Sequence, residues 1–459
     1  MNSVTVDFEQ KNGKVKPMHA VNNGPVYKFY PDQRITNLGA YRDAGIPYAR
    51  THDASFYANY GGEHTVDIHA LFPDFDGDPY DSASYDFCLT DEYLKVIDMG
   101  GAKTFYRLGS KIEHWPKKYG TLPPKDFKKW AVICEQIIRH YTEGWADGFH
   151  FGIEYWEIWN EPDLDADDSR HKRCWGGTKK EFFEFYDVAA RHLKCCFPHL
   201  KIGGPAIAGD TDWMKEFLVR LSAPLDFFSW HRYADDPQKV IQSVCKIKGI
   251  LDECGYSHVE SILNEWNFVK GFDGDDWIYS LKSEKSMKGA AFSAAVMCAC
   301  QNAPVDMLMY YDARPCVMNG LFSTDFVNEC LKGYYPFKMF NTLYRLGEAA
   351  VVTSDHRDIY AAAASNGEEA AVMLAHFSMD ENAAARPVAV ELSGFFAKDG
   401  VTAQVFLLDE ANDMAPIREE IFRAEAFAPI LTLANESCCL IKLKKLQATA
   451  DSIGACAAE

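Results

Sequence analysis

The sequence predicts an α/β fold, a (β/α)8 TIM barrel with a C-terminal β-sandwich domain. From about residue 15 to 345, short apolar runs alternate with longer amphipathic stretches, the pattern of a parallel sheet with right-handed crossovers. Eight such units suit a sheet that closes into a barrel. From about residue 350 the helical period gives way to strand-like segments separated by turn residues. An open doubly wound sheet is the competing architecture, but "AVNNGPVYKF" after the first strand does not match the G-x-G-x-x-G phosphate loop.

Taken in order, the barrel strands are "VKPMHAV", "PYARTHD", "KTFYRLGS", "YWEIWNE", "KIGGPAIA", "DFFSWHRY", "SILNEWNF" and "DMLMYYDA". Between and after them run helical patterns such as "PKDFKKWAVICEQIIRHYTEG" and "PQKVIQSVCKIKGILDECG", opened by Thr, Ser or Asp caps or by a first-turn Pro and closed on Gly or Pro. The helices expected after strands seven and eight are "SMKGAAFSAAVMCACQNA" and "GYYPFKMFNTLYRLGE". The paired glycines at 203 and 204 read as tight barrel packing. Later come "DIYAAAASNGEEAAVMLAHF", "RPVAVELSGF", "TAQVFLLD" and "ESCCLIKLK"; Asn366-Gly367 between two alternating runs signals a hairpin. The expected division is 15–345 for the barrel and 346–447 for the sandwich. Residues 1–14 are expected to join the sandwich as a hairpin, and 448–459 form a loose tail.

Composition narrows the function classes. Hydrophobic residues at 47% and charged residues at 25% belong to an ordinary soluble globular protein. A net charge of −19 repels phosphate backbones, so no nucleic-acid partner is expected. The start "MNSVTVDFEQ" lacks the features of a signal peptide, and "GAAFSAAVMCAC" is too short to span a bilayer. The 14 cysteines show neither C-x-x-C spacing nor a regular framework. Together these lead to the expectation of a cytoplasmic protein with no membrane partner; a homo-oligomer is compatible with the sequence.

In such barrels the working groups sit at the C-terminal ends of the strands. Those ends carry Arg50 and His52 on the second strand, Asn160 and Glu161 on the fourth, His231 and Tyr233 on the sixth, Glu265 and Trp266 on the seventh, and Tyr311 on the eighth. Two glutamates in one mouth suit glycosidic cleavage. One must protonate the leaving oxygen while the other, ionised, meets positive charge developing at the anomeric carbon. Trp115, Trp175, Trp266 and Tyr311 are candidate stacking surfaces for a sugar. Glu157 shares the parity of Glu161 and is expected to be a buried group paired with an arginine. Trp130, Phe182 and Phe183 belong to helices and read as core. No H-x-H on the first strand and no H-E-x-x-H occurs, so no metal is expected.

"WEIWNEP", "SWHRY" and "LNEWN", in that order, resemble the clan A glycoside hydrolases. "YARTHD" and "CWGGTKKEFFEFY" are most similar to family 39, the β-xylosidase and α-L-iduronidase group. The resemblance implies a retaining double displacement on small β-linked oligosaccharides or aryl glycosides, with Glu161 as acid/base and Glu265 as nucleophile. It also implies that Asn160 bonds the sugar 2-hydroxyl, that His231 and Tyr233 orient nucleophile and substrate, and that Arg50 and His52 line the innermost subsite. "YYDARP" departs from the tryptophan platform of many clan members. No cofactor is required, because two carboxylates and water complete both steps. A non-catalytic carbohydrate-binding barrel and a transglycosylase using the same residues are the rival functions. The insert at 54–88 is expected to shape the pocket.

Overall fold

The computed structural model describes residues 2–27, 36–52, 65–326 and 328–446. The chain forms two compact units. One comprises Pro17–Ser286 and Ala303–Tyr334; the other comprises Met1–Lys16, Met287–Asn302 and Tyr335–Glu459.

After β1 (Asn2–Lys14), a strand of the second unit, the first unit holds a closed eight-stranded barrel. It is built of β2 (Ala20–Asn22), β3 (Tyr48–Arg50), β4 (Lys103–Leu108), β5 (Tyr155–Ile158), β6 (Lys201–Ile207), β7 (Phe227–Ala234), β8 (Glu260–Phe268) and β9 (Met307–Tyr310). Every neighbour is parallel, and β2 pairs with both β3 and β9, which closes the ring. All eight strands coincide with the apolar runs read from the sequence. The helices on this unit include α1 (Leu38–Ala44), α2 (Ile68–Leu71), α3 (Cys88–Met99), α4 (Phe127–Thr142), α5 (Lys179–Cys196), α6 (Thr211–Arg220), α7 (Pro237–Glu253) and α8 (Gly274–Glu284). Their starts follow the caps: Asp126 accepts from Lys128 N and Lys129 N, Thr178 and Glu181 form a capping box, and Pro237 opens α7 behind Asp236.

The barrel interior is layered because side chains repeat every two residues along a strand. Ala20, Phe105, Tyr155, Phe227, Ile262, Met307 and Met309 form an apolar layer. Two residues further along their strands, Ala20, Tyr155 and Ile262 give way to Asn22, Glu157 and Asn264, while Tyr48, packed against that layer, is followed by Arg50. These polar residues are all buried and hydrogen-bonded to one another. Gly203 is the narrow point: a Cβ there would stand 2.3 Å from the Phe227 carbonyl oxygen, so the tight packing read into the paired glycines is real.

In the second unit, nine strands form one sheet. β1 is joined by β10 (Glu348–Ser354), β11 (Ile359–Ser365), β12 (Glu369–His376), β13 (Arg386–Ser393), β14 (Val401–Leu408), β15 (Asp413–Phe422), β16 (Ile430–Leu433) and β17 (Ser437–Lys445), in the order β15-β14-β17-β12-β11-β10-β1-β13-β16. Val388 and Val390 of β13 share one hydrophobic core with Val401, Ala403 and Val405 of β14, although these strands lie near opposite ends of the order. The sheet therefore curls over itself into a sandwich-like body. The Asn366-Gly367 hairpin joins β11 to β12, with Gly367 at φ +95° and Asn366 Oδ1 accepting from the Glu368 and Glu369 amides.

Three details differ from the expectation. β1 is a single strand between β10 and β13, with register shifts after Asp7 and Lys11, rather than a hairpin. Helix α9 (Met287–Gln301), expected on the barrel, and α10 (Tyr334–Leu346), apart from its first residue, group with the sheet unit. Lys288 pairs with Glu436 and the ring of Phe292 meets Phe377. The sequence of α9 is apolar around its circumference and nearly every residue is buried, whereas a barrel helix keeps one polar face. The helix that follows β8 directly is α8, whose short polar pattern "GDDWIYSLKSE" was not read as helical. Residues 448–459 lie outside the described residues. Among the described residues no helix is long and apolar enough to cross a membrane.

Candidate active site

β5 ends at Ile158, and there the alternation breaks. Trp159 and Glu161 adopt positive φ, 76° and 47°, so the chain winds sharply instead of continuing the pleat. A non-glycine residue in this region costs of order 1–3 kcal/mol and persists where the surroundings over-determine it. Here Trp159 Nε1 donates to the Cys174 carbonyl and Glu161 N donates to the Ala206 carbonyl. Asn160 is thereby buried against Arg50 while the Glu161 side chain stays 15% exposed.

Glu265 reaches the same place by a different device. Trp230 pairs with Leu263 and His231 with Glu265, so β8 carries one extra residue, Asn264, against β7. A bulge of this kind re-aims the side chains that follow it. Asn264 and Glu265, although consecutive, both turn inward: Asn264 Nδ2 bonds Glu157, and Glu265 accepts from Arg50.

These devices bring Glu161, His231 and Glu265 together, with ligand-type atoms of all three within 4.8 Å of one another. His231 Nδ1 lies 2.8 Å from Glu161 Oε1 and 3.5 Å from Glu265 Oε2. Tyr233 donates to Glu265 Oε2 at 2.8 Å, Arg50 Nη1 donates to Glu265 Oε1 at 2.8 Å, and His52 Nε2 lies 3.4 Å from that oxygen. Burial alone would raise the pKa of Glu265, but His231, His52 and Arg50 outweigh it and hold the carboxyl well below the usual glutamate range. Burial, then the Glu265 charge, pushes the Tyr233 hydroxyl well above the ordinary tyrosine range, so it remains a donor. The same three residues have the chemistry of a metal site. The Arg50 guanidinium on Glu265 supplies the positive charge there and opposes a cation.

Several sequence-read residues take other places. Arg50, which the resemblance puts in the lining of the innermost subsite, is fully buried and held against the carboxylates. Its guanidinium donates to Glu157 at 2.7 Å, Asn22 at 3.0 Å, Glu265 at 2.8 Å and Asn160 at 2.7 Å. Glu157 is the expected buried acid with an arginine partner, and the partner is Arg50. Arg107 is taken by Asp67 and the His52 carbonyl. Because Arg50 can only donate, the Asn160 amide oxygen faces it and the amide NH2 is left for other partners.

Trp266 falls on the outward side of the bulge. It is buried edge-on against Tyr310, and this corrects its reading as a sugar platform. Trp175 is buried among Trp159, Phe182 and Phe185, with Nε1 bonded to the Thr178 carbonyl, and is likewise core. Trp115 is 81% exposed on the loop between β4 and α4. Tyr311 is half-buried beside His52 and Tyr233, with ring centroids 5.3 and 6.4 Å away. Trp130, Phe182 and Phe183 are core, as their helical placement implied. Of the insert at 54–88, residues through 64 lie outside the described residues; Asp67 anchors the rest.

Sequence reasoning missed Asp163. Its carboxylate accepts from the backbone N–H groups of Ala208, Gly209 and Asp210, tying the β6–α6 loop to the turn that bears Glu161. Burial, aided by the Glu161 charge, pushes its pKa up to about 6 against those three bonds. The signal available was its position, two residues past Glu161 in "NEPD".

The model of glycosyl hydrolases family 39 matches residues 40–271. The chain belongs to that family. Among curated relatives it is 26% identical over 223 residues to a β-xylosidase of Geobacillus stearothermophilus, covering 41% of each chain. It is 29% identical over 251 residues to a β-xylosidase of Caldicellulosiruptor saccharolyticus, covering 51% of this chain and 46% of that one. The chain thus spans less than half the length of these two relatives. A glucosidase structure from Croceicoccus marinus superposes with a TM-score of 0.79 at 21% identity, covering 97% of this chain and 99% of that one, a likeness of fold. The family-39 match runs from β3 through β8 and so includes Arg50, Glu161, His231 and Glu265.

Proposed function

We propose that this family-39 chain is a retaining β-glycosidase, β-xylosidase-like in substrate, with Glu265 as nucleophile and Glu161 as acid/base. The observation that carries this reading is the closeness of the two carboxylates, whose nearest oxygens are within 4.8 Å. Retaining enzymes hold the pair roughly 5–5.5 Å apart, whereas inverting enzymes leave roughly 6.5–9.5 Å for a water. Glu265, kept ionised by Arg50, His231 and His52, suits attack on the anomeric carbon. Glu161 protonates the departing oxygen, and then, as a base, activates the water that releases the sugar. His231 Nδ1 lies against both carboxylates and orients them. Tyr233 and Arg50 position Glu265, and the Asn160 amide is placed to bond a sugar hydroxyl.

We also propose that the protein is cytoplasmic, a reading supported by the 13 described cysteines, all free thiols. The test is incubation with 2-fluoro aryl glycosides of xylose and related sugars, followed by peptide mass mapping. A covalent adduct on Glu265 is expected, and the sugar that labels fastest names the substrate. Inactivation without label on Glu265, or no label from any sugar while oligosaccharide still binds, would replace hydrolysis with sugar binding alone. Product ratios at rising acceptor concentration separate hydrolysis from transglycosylation.

A further inference from the structure

Phe272 is 58% exposed, yet the loop that carries it is firmly held. That loop joins β8 to α8 at the C-terminal ends of the barrel strands, the face on which the two carboxylates lie. Val269 N donates to the Ala234 carbonyl at 3.0 Å, Lys270 N donates to Ser280 Oγ at 2.9 Å, and Lys270 Nζ pairs with Asp276 at 2.8 Å. The loop is thus pinned both to the end of β7 and to α8. The Phe272 ring stacks on half-buried Trp277, with centroids 5.7 Å and planes 28° apart, and meets Tyr233 at 5.5 Å with the two rings nearly perpendicular. Tyr233 is the residue that donates to Glu265 Oε2. Phe272 therefore stands one ring away from the group that grips the proposed nucleophile, and direct contacts connect the two.

Single exposed apolar residues are common and by themselves mean little. Here exposure coincides with a fixed orientation and with contact to the nucleophile's own hydrogen-bond donor. Ring contacts run outward from the carboxylates, from His52 to Tyr311 at 5.3 Å, from Tyr311 to Tyr233 at 6.4 Å, and from Tyr233 to Phe272. The polar groups on Glu265 belong to the inner end of that series, and the exposed ring to its outer end. A sugar bound over Glu265 meets the polar end, so the next ring of the substrate meets the apolar one. The C–H face of a pyranose, or the face of an aryl group, would remove the Phe272 ring from water without a loss of hydrogen bonds. We infer that Phe272, backed by Trp277, is a stacking platform for the substrate ring adjoining the cleaved sugar and selects substrates that possess such a ring. The inference rests on the retaining-hydrolase reading and deepens it.

The experiment uses the full chain and three substrates built on the accepted sugar. Its glycosyl fluoride has no second ring. Its aryl glycoside carries a second ring on the leaving side, and the fluoride of its disaccharide carries one on the opposite side of the cleaved sugar. Phe272→Ala should lower kcat/KM roughly tenfold for a two-ring substrate and leave the simple fluoride unchanged. Which two-ring substrate loses names the side on which the platform lies. Phe272→Tyr keeps the aromatic face and should retain the wild-type rate. Val219→Ala removes an exposed apolar side chain at the end of α6 that faces away from the mouth, and should change nothing. Far-UV circular dichroism confirms folding, and Phe272→Leu, which lacks a flat face, serves as the second variant should Phe272→Ala misfold. Equal loss on all three substrates would reduce Phe272 to a support for Tyr233 and overturn the platform, as would no loss on any; either leaves the hydrolase intact. If the wild type cleaves none of them, the hydrolase reading fails, and calorimetric titration with xylose and xylobiose decides the platform. Tighter binding of xylobiose that is lost in Phe272→Ala supports it, and equal binding of the two sugars, or none, overturns it.

Discussion

Glu265 is gripped by Arg50, Tyr233 and His52, whereas Glu161, across the same gap, meets, among the described residues, His231 Nδ1 on one oxygen and the weakly donating Cys174 thiol on the other. Glu265 also rests on a buried layer in which Arg50 bridges four side chains; Glu161 rests on a wound turn with positive φ. The difference follows the chemistry proposed for each. A nucleophile must stay ionised and fixed in direction, so charge-assisted donors on both oxygens serve it. An acid/base must gain and lose a proton in one turnover, and heavy donation to both oxygens would lock it in the charged form.

Replacing each group in turn probes that contrast. Glu265→Gln should lower kcat by at least about 10⁴-fold for every leaving group, since no bond to the sugar can form. Glu161→Gln should cost roughly 10²–10⁴-fold with a poor leaving group and far less with dinitrophenolate, which departs without a proton. Equal losses for both leaving groups would erase the distinction between the two carboxylates. Arg50→Met leaves Glu157 and Glu265 buried without their cation. It should cost about 3–5 kcal/mol in urea unfolding, together with a loss of turnover.

Tyr233→Phe should be mildest, about tenfold in kcat/KM, with a shift in pH dependence. The native Glu265 pKa is depressed, so its contribution to stability is present above the ordinary glutamate value and is lost as pH falls toward the native one. Removing a donor raises that native value. The acid limb of the kcat/KM profile should therefore move to higher pH in the variant, and an unmoved limb would assign it to another group.

Much of the site was legible because local chemistry constrains it. Glu157 was readable as a buried, arginine-paired acid from parity alone, and Asn160-Glu161-Pro162 from a strand that stops abruptly. Parity also explains the failures. It presumes an unbroken pleat, and the extra residue at Asn264 reverses it, sending Glu265 inward and Trp266 into the core. Trp175 was misplaced because an aromatic in a loop after a strand looks the same whether it faces sugar or packs on Trp159. Helix α9 was assigned to the barrel because period and length say that a helix forms without saying which surface it covers.

By itself the sequence determined the eight alternating units, the hairpin at Asn366-Gly367 and the pair of glutamates at strand ends, since each depends on neighbours a few residues apart. Which arginine neutralises which acid, which aromatics are buried as core and that Arg50 is fully buried against Glu157 and Glu265 were decided only in three dimensions. Those depend on residues more than a hundred positions apart, as with Arg50, Glu157 and Glu265, and a single bulge decides which of them meet.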